Sequence, residues 1–410
     1  MVVDYIAREK LMSALESHRN TPEIKVLTGV RRCGKSTLLD RYAQSLLDQG
    51  LPERNIYHRR FDSFDTPIGY SATDLYDDLR RAFDTAGSGP FVVLLDEIQD
   101  VPGWEQVVRR LHTRADTDVY ITGSNARLLS GELATYLTGR YVEIPVYPLS
   151  YDEYATHMAK RRPGASEDLL FADYMMFGGM PGLYATGTVE PDRARAGEVL
   201  DAVYESVVVK DVARRYGIRD LATLEKLSRY LFATSGNLFS TNNVVNTLNS
   251  AGLKVTYATV DNQIDALEKA FIVYGCEQSR IRGRQLLRPQ RKYYPVDNGF
   301  RNLANGFNGA DRGAQLEGIV YMELRRRGWN VTIGALPGGE IDFVARRGAE
   351  RQYIQVTLNM TEEQTREREL TPLRKLDDAF PRTVLTLDRF SEGVTEEGIR
   401  ILNAMDWLRK

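Results

Sequence analysis

The stretch KVLTGVRRCGKSTLLD, residues 25–40, decides how the N-terminal third of this chain is read. EIKVLT, which leads into it, is a short apolar run of strand type. KSTLLDRYAQSLLDQG repeats apolar residues at helical spacing and stops at Gly50. Between strand and helix, Gly29, Gly34, Lys35 and Ser36 fit the pattern G-x-x-x-x-G-K-[ST] in the context that pattern needs. The glycines let backbone amides across 29–37, including those of Cys33 and Thr37, wrap a phosphate chain where a helix dipole already favours an anion. Lys35 is placed to reach the β- and γ-phosphates, and the Ser36 hydroxyl to ligate Mg²⁺.

Two further strands supply what a phosphate cradle lacks. FVVLLDEIQD, residues 91–100, is apolar enough to be buried on both faces of a parallel sheet, and Asp96 emerges at its C-terminal end, where such sheets put their ligands. Asp96 is the second candidate Mg²⁺ ligand, through water, and Glu97 the candidate base for the attacking water. DVYITGS, residues 118–124, leads into Ser124 and Asn125, which either orient that water or cap the following helix. TGRYVEIPV then carries Arg140 at the mouth of another strand. There it either reaches the γ-phosphate of a neighbouring subunit or pairs with a helix C-terminus. No N-K-x-D motif appears, which disfavours a GTPase. LLSGEL, residues 128–133, follows the Asp96–Glu97 strand, whereas transporters place their signature before it.

LTGVRRCGKSTLL, LLDEIQDVPGWE, ITGSNARLLSGELATYLTGRYVEI, YPLSYDEY and FGGMPG together resemble a prokaryotic AAA+ ATPase family over essentially the whole chain. The resemblance implies an α/β fold: a P-loop AAA+ parallel sheet with a helical lid, a winged-helix domain and a C-terminal restriction-endonuclease-like α/β domain. It also implies ATP and ADP as ligands, and a homo-oligomeric ring, often a hexamer, in which Arg140 acts in trans. The expected domains are 1–148 (ATPase), 149–222 (lid), 223–300 (winged helix) and 301–410.

The bulk composition agrees with a multi-domain globular chain of 410 residues, 42% hydrophobic and 27% charged. A net charge of −2 restricts any nucleic-acid contact to a local patch. Two distant cysteines, Cys33 and Cys276, suggest a reducing compartment and offer no zinc spacing. No apolar run approaches a membrane span, so the expected location is the cytoplasm.

In the lid segment, Gly178, Gly179 and Pro181 mark a sharp turn, read as turn chemistry ahead of a hinge. Three helical segments followed by FIVYGCEQ and RKYYPV suggest the winged helix. Its hairpin holds Arg280, Arg282, Arg284, Arg288, Arg291 and Lys292 without an acid among them, a candidate surface for a DNA backbone. Six phosphate contacts would give a log–log salt slope of about −5. A solvated hairpin, or docking on an acidic neighbour, accounts for the same charges.

The last hundred residues set Glu317 on a helix, Glu340 and Asp342 on one strand, and Gln355 and Thr357 on the next. That order resembles a metal-dependent nuclease core, but Gln355 stands where a second carboxylate belongs and Thr357 where a lysine belongs. Gln355 can offer a metal only a neutral carbonyl oxygen. Glu340 is a spare ligand, Arg366 or Arg368 a substitute cation that cannot deprotonate, and a catalytically dead scaffold is the expected outcome. The leading expectation is an ATPase that remodels a macromolecule in an oligomeric ring, with DNA as the candidate target. The alternatives are a nucleotide-controlled switch or scaffold for a protein partner, and an ATP-dependent nuclease.

Overall fold

The structure, a computed structural model, describes residues 5–126, 139–185, 192–281, 289–309, 311–337 and 339–410. It divides into two compact units. The first is Ala7–Tyr147 with Lys269–Phe271; the second takes the rest of the chain.

The first unit is built on a parallel sheet. Strands β1 (Ile24–Thr28), β2 (Ile56–Arg60), β3 (Phe91–Asp96), β4 (Thr117–Gly123) and β5 (Tyr141–Pro145) lie in the order β2-β3-β4-β1-β5. Every residue of β1 and β3 is buried, as a sheet covered on both faces demands. Ile24, Val26, Val93, Leu95, Val119 and Ile121 pack with Leu75, Leu79, Trp104 and Val108 of the flanking helices. β4 lies between β1 and β3, so the loops that leave those two strands flank whatever leaves β4.

One charge sits inside this sheet. The Lys25 ammonium is fully buried against Asp118 of β4 and donates to the Thr21 carbonyl at 2.8 Å. Asp118 in turn accepts from the Asn20 amide at 3.0 Å and the Tyr120 hydroxyl at 3.1 Å. A buried pair satisfied in this way is tolerable, whereas removing one partner of such a pair costs about 3–5 kcal/mol.

The second unit opens with helices Tyr151–Arg161 and Glu167–Phe177. Its large sheet gathers β6 (Leu238–Phe239), β7 (Val273–Arg280), β8 (Arg291–Pro295), β9 (Asn330–Leu336), β10 (Gly339–Arg347), β11 (Glu350–Thr357), β12 (Arg382–Thr386), β13 (Gly393–Val394) and β14 (Arg400–Asn403). Their order is β13-β14-β12-β11-β10-β9-β7-β8-β6. The sheet therefore runs through the 300/301 boundary expected from sequence. β7 of the basic hairpin pairs in parallel with β9, matching Gln278 to Ile333 and Arg280 to Ala335. The physical reason is edge satisfaction: a lone hairpin leaves two edges of unpaired amides and carbonyls, and β9 covers one.

The FGGMPG turn is held by close approach. Gly178 has φ 76°, and a Cβ there would lie 1.8 Å from Asp297 Oδ1. The Gly179 amide donates to Asp297 Oδ2 at 2.6 Å, and a Cβ on Gly179 would lie 2.3 Å from the Leu149 carbonyl oxygen. Among the described residues, no helix is long and apolar enough to cross a membrane.

Candidate nucleotide site and C-terminal acidic cluster

The loop after β1 turns on two glycines. Gly34 has φ 102° at the N-cap of helix Lys35–Asp48, and a Cβ on Gly29 would lie 2.0 Å from the Val146 carbonyl oxygen. Lys35 is buried and donates to the carbonyls of Gly29 at 2.9 Å and Val30 at 3.2 Å. Its ammonium lies 3.7 Å from Glu97 Oε1. Cys33 is buried in the loop, Ser36 is half-buried and Thr37 exposed at the start of the helix. Arg8, 5% exposed, donates to the Cys33 carbonyl at 3.0 Å and braces the loop from outside it.

β4 ties the acidic pair together. The Thr122 hydroxyl donates to Asp96 Oδ1 at 2.5 Å and accepts from the Glu97 amide at 2.9 Å. Glu97 sits in the left-handed region, φ 52° and ψ 46°, a conformation a non-glycine residue holds only when its surroundings impose it. Gln99 Nε2 donates to Glu97 Oε2 at 2.5 Å. Burial pushes the Glu97 carboxyl up, but the Lys35 ammonium, then Gln99, Arg31 and Ser124, outweigh it and hold the group below its ordinary value. Glu97 is therefore an ionised acceptor at neutral pH. Asp96 moves the other way: burial lifts its pKa, opposed by hydrogen bonds from Thr122 and Ser36.

Asp96 Oδ2 is the observation that tests the metal. It is buried without a hydrogen-bond partner among the described residues, and the Arg60 guanidinium lies 3.5 Å away. A carboxylate oxygen left open beside the Ser36 hydroxyl fits a hydrated Mg²⁺. Ser124 and Asn125, 4% and 3% exposed, follow β4 between the two motifs. The helix they were alternatively expected to cap lies mostly in 127–138, outside the described residues. Arg140 is exposed at the start of β5, where its carbonyl accepts from the Ile24 amide. That is the N-terminal end of β1, a strand length of about 16 Å from the phosphate loop.

Among the described residues of the basic hairpin, Lys292 departs from expectation. Arg282, Arg284 and Arg288 lie outside the described residues. Arg280 ends β7, and Arg291 pairs with Glu277 and Glu268. Lys292, counted with them as a phosphate contact, is instead 4% exposed and points inward, 3.2 Å from Glu317 Oε1 and 2.8 Å from Glu340 Oε1. A buried, paired ammonium does not reach a DNA backbone.

The nuclease-like positions are all taken up internally. Glu317 also accepts from the Tyr294 hydroxyl at 2.6 Å. Asp342 Oδ2 accepts from the Val356 amide at 2.8 Å, and burial, followed by the nearby Glu317 carboxylate, pushes its pKa well up. The Gln355 carbonyl, expected as a neutral metal ligand, accepts from the Asp342 amide at 3.3 Å, while its amide donates to Glu369 at 2.8 Å. Thr357 donates to the Asn359 carbonyl, and Arg368 is bound to Glu369. Among the described residues, no group of three or more His, Cys, Asp or Glu is placed to hold a metal ion.

Sequence reading missed Thr122, Gln99 and Arg8. A hydroxyl in an otherwise apolar run was the available signal for Thr122; Gln99 and Arg8 gave none, because their partners are set by the fold.

A family model described as an AAA domain matches residues 21–155, and a domain of unknown function (DUF8612) matches 168–311. An uncharacterized protein of Haemophilus influenzae is 36% identical over 403 residues, covering 98% of each chain. An uncharacterized protein of Methanocaldococcus jannaschii is 27% identical over 364 residues, 86% of this chain and 78% of its own. Among solved structures, the Walker-type ATPase of Pyrococcus abyssi covers 73% of this chain and 96% of its own at 15% identity, with a TM-score of 0.52.

Proposed function

We propose, for a chain that belongs to a family of AAA-domain P-loop ATPases, that it binds ATP with Mg²⁺ and hydrolyses it to rearrange a macromolecule within a homo-oligomer. The observation that carries the hydrolysis is the pinned, ionised Glu97 beside Lys35, with Thr122 fastening it to Asp96. A site built only to hold a nucleotide has no need of an acceptor kept charged in a strained backbone.

The amides of 29–37 receive the phosphates. Lys35, now satisfied by two carbonyls of its own loop, turns to the β- and γ-phosphates, which removes the cation nearest Glu97 Oε1. That oxygen then accepts the proton of the attacking water, while Gln99 keeps the other oxygen fixed. Ser36 and Asp96 are the residues that would hold Mg²⁺, which supplies neutralising charge to the phosphates. Ser124 and Asn125 are placed to orient the water. Arg140, remote from its own phosphate loop, stabilises transition-state charge in the neighbouring subunit's site, a role worth on the order of 10³–10⁵ in rate in comparable systems. In the same proposal, the hairpin arginines from Arg280 to Arg291, without Lys292, are the candidate contact to a nucleic-acid backbone.

Nucleotide binding and single-turnover hydrolysis test the assignment. Glu97→Gln retains bound ATP unhydrolysed, and Lys35→Ala loses binding. A Glu97→Gln protein that turns over ATP at the parental rate refutes the base assignment.

A further inference from the structure

The second unit contains an ammonium where its acidic cluster would otherwise need a foreign cation. Glu317 comes from helix Arg312–Arg326, Glu340 and Asp342 from β10, and all three carboxylates act on one ammonium, that of Lys292. Lys292 reaches them from β8, on the far side of β7 and β9. Its Nζ stands 2.8 Å from Glu340 Oε1 and 3.2 Å from Glu317 Oε1. Burial alone would lower the pKa of this ammonium, but Glu317, Asp342 and Glu340 outweigh it and the pKa is raised, so the lysine is charged throughout the working range of pH. Tyr294, two residues along the same strand, donates to the same Glu317 oxygen and stacks on Tyr321 at 4.3 Å. β8 thus delivers both a cation and a hydroxyl to one carboxylate.

We propose that Lys292 is the resident cation of this cluster, an internal counter-ion that holds Glu317 and Glu340 together and keeps divalent metal out. A tethered ammonium that makes two short contacts at 4% exposure needs no recruitment from solvent. It also presents to any approaching Mg²⁺ a like charge at close range. The hairpin is fastened to the C-terminal strands by this contact as well as by the β7–β9 ladder. The proposal is independent of nucleotide hydrolysis and stands or falls on the second unit alone.

Two measurements on the nucleotide-free full chain decide it. In Mn²⁺ titrations followed by electron paramagnetic resonance, the parent takes up no Mn²⁺ that Asp342→Asn or Glu317→Gln abolishes. Lys292→Ala gains an Mn²⁺ site that the parent lacks, lost again when Asp342→Asn is added, and Lys292→Arg gains none. Parental uptake that depends on Asp342 or Glu317 overturns the proposal, as does a folded Lys292→Ala protein with no gain. If Lys292→Ala does not fold, amine acylation read by mass spectrometry gives the decision. Lys292 in the parent is then modified at least tenfold more slowly than exposed Lys410, and Glu340→Gln accelerates it several-fold. Acylation of Lys292 at the rate of Lys410 in the parent sinks the idea.

Discussion

Replacing Thr122 with valine tests the junction of β3 and β4 most directly. The side chains are nearly the same shape, so what is removed is one hydroxyl that donates to Asp96 at 2.5 Å and accepts from the Glu97 amide at 2.9 Å. A hydrogen bond to a charged group contributes about 1.5–3 kcal/mol, and a buried amide left unpaired costs about 1–3 kcal/mol. Both groups are buried, and some relaxation is expected, so the combined loss is about 3 kcal/mol for the first unit. Thr122→Ser keeps both bonds and costs about 1 kcal/mol for its missing methyl. The assay is urea unfolding followed by Trp104, which is buried in the core of this unit, with Trp329 and Trp407 changed to phenylalanine so that only it reports. The loss also has a pH signature. Without the hydroxyl, the pKa of Asp96 rises further above its ordinary value, so the valine variant's deficit shrinks as the pH is lowered and Asp96 takes up a proton. A Thr122→Val protein within about 0.5 kcal/mol of Thr122→Ser at neutral pH refutes the assignment of Thr122 as the link between the acidic pair.

Arg140→Ala is expected to bind ATP at parental affinity and lose turnover, because the residue lies at the opposite end of the strands from its own phosphate loop; a mixture with Lys35→Ala should recover hydrolysis, and a mixture that recovers none removes the support for a trans role. Asp297, buried on the Gly179 and Gly299 amides with Arg326, Tyr174 and Tyr184 facing it, has its pKa pushed up to about 6 by burial. The folded state therefore binds this proton more tightly than the unfolded chain, and the stabilisation present below about pH 4 is lost as the pH rises through about 6, roughly 3 kcal/mol in all. Asp297→Asn should flatten that dependence in urea unfolding of the second unit, read by Trp329 and Trp407 in a Trp104→Phe background; parallel profiles for parent and variant count against it.

What could be read in advance was the geometry that local sequence carries by itself. Gly29, Gly34 and Lys35 need only one strand, one turn and one helix to meet, and Asp96–Glu97 only the end of a buried strand. Lys292 was misplaced for the converse reason. Six basic residues in one hairpin resemble a solvated face, and only the pairing of β7 with β9 shows that alternate side chains of β8 point toward Glu317. The same non-local ladder conceals that the hairpin and the C-terminal strands share a sheet. FGGMPG announced a turn, but that its glycines make room for Asp297, more than a hundred residues on, depends on packing no local pattern encodes.

The Lys25–Asp118 pair bears on how the first unit assembles. A parallel sheet of uniformly greasy strands is free to slip, since hydrocarbon meets hydrocarbon in any alignment. Here a slip of β4 along β1 by even one residue would turn its side chains to the other face and strand two opposite charges in a dry interior. The pair works as an alignment pin: a mispaired register is penalised, and the far ends of both strands, with the phosphate loop and Thr122 upon them, finish level.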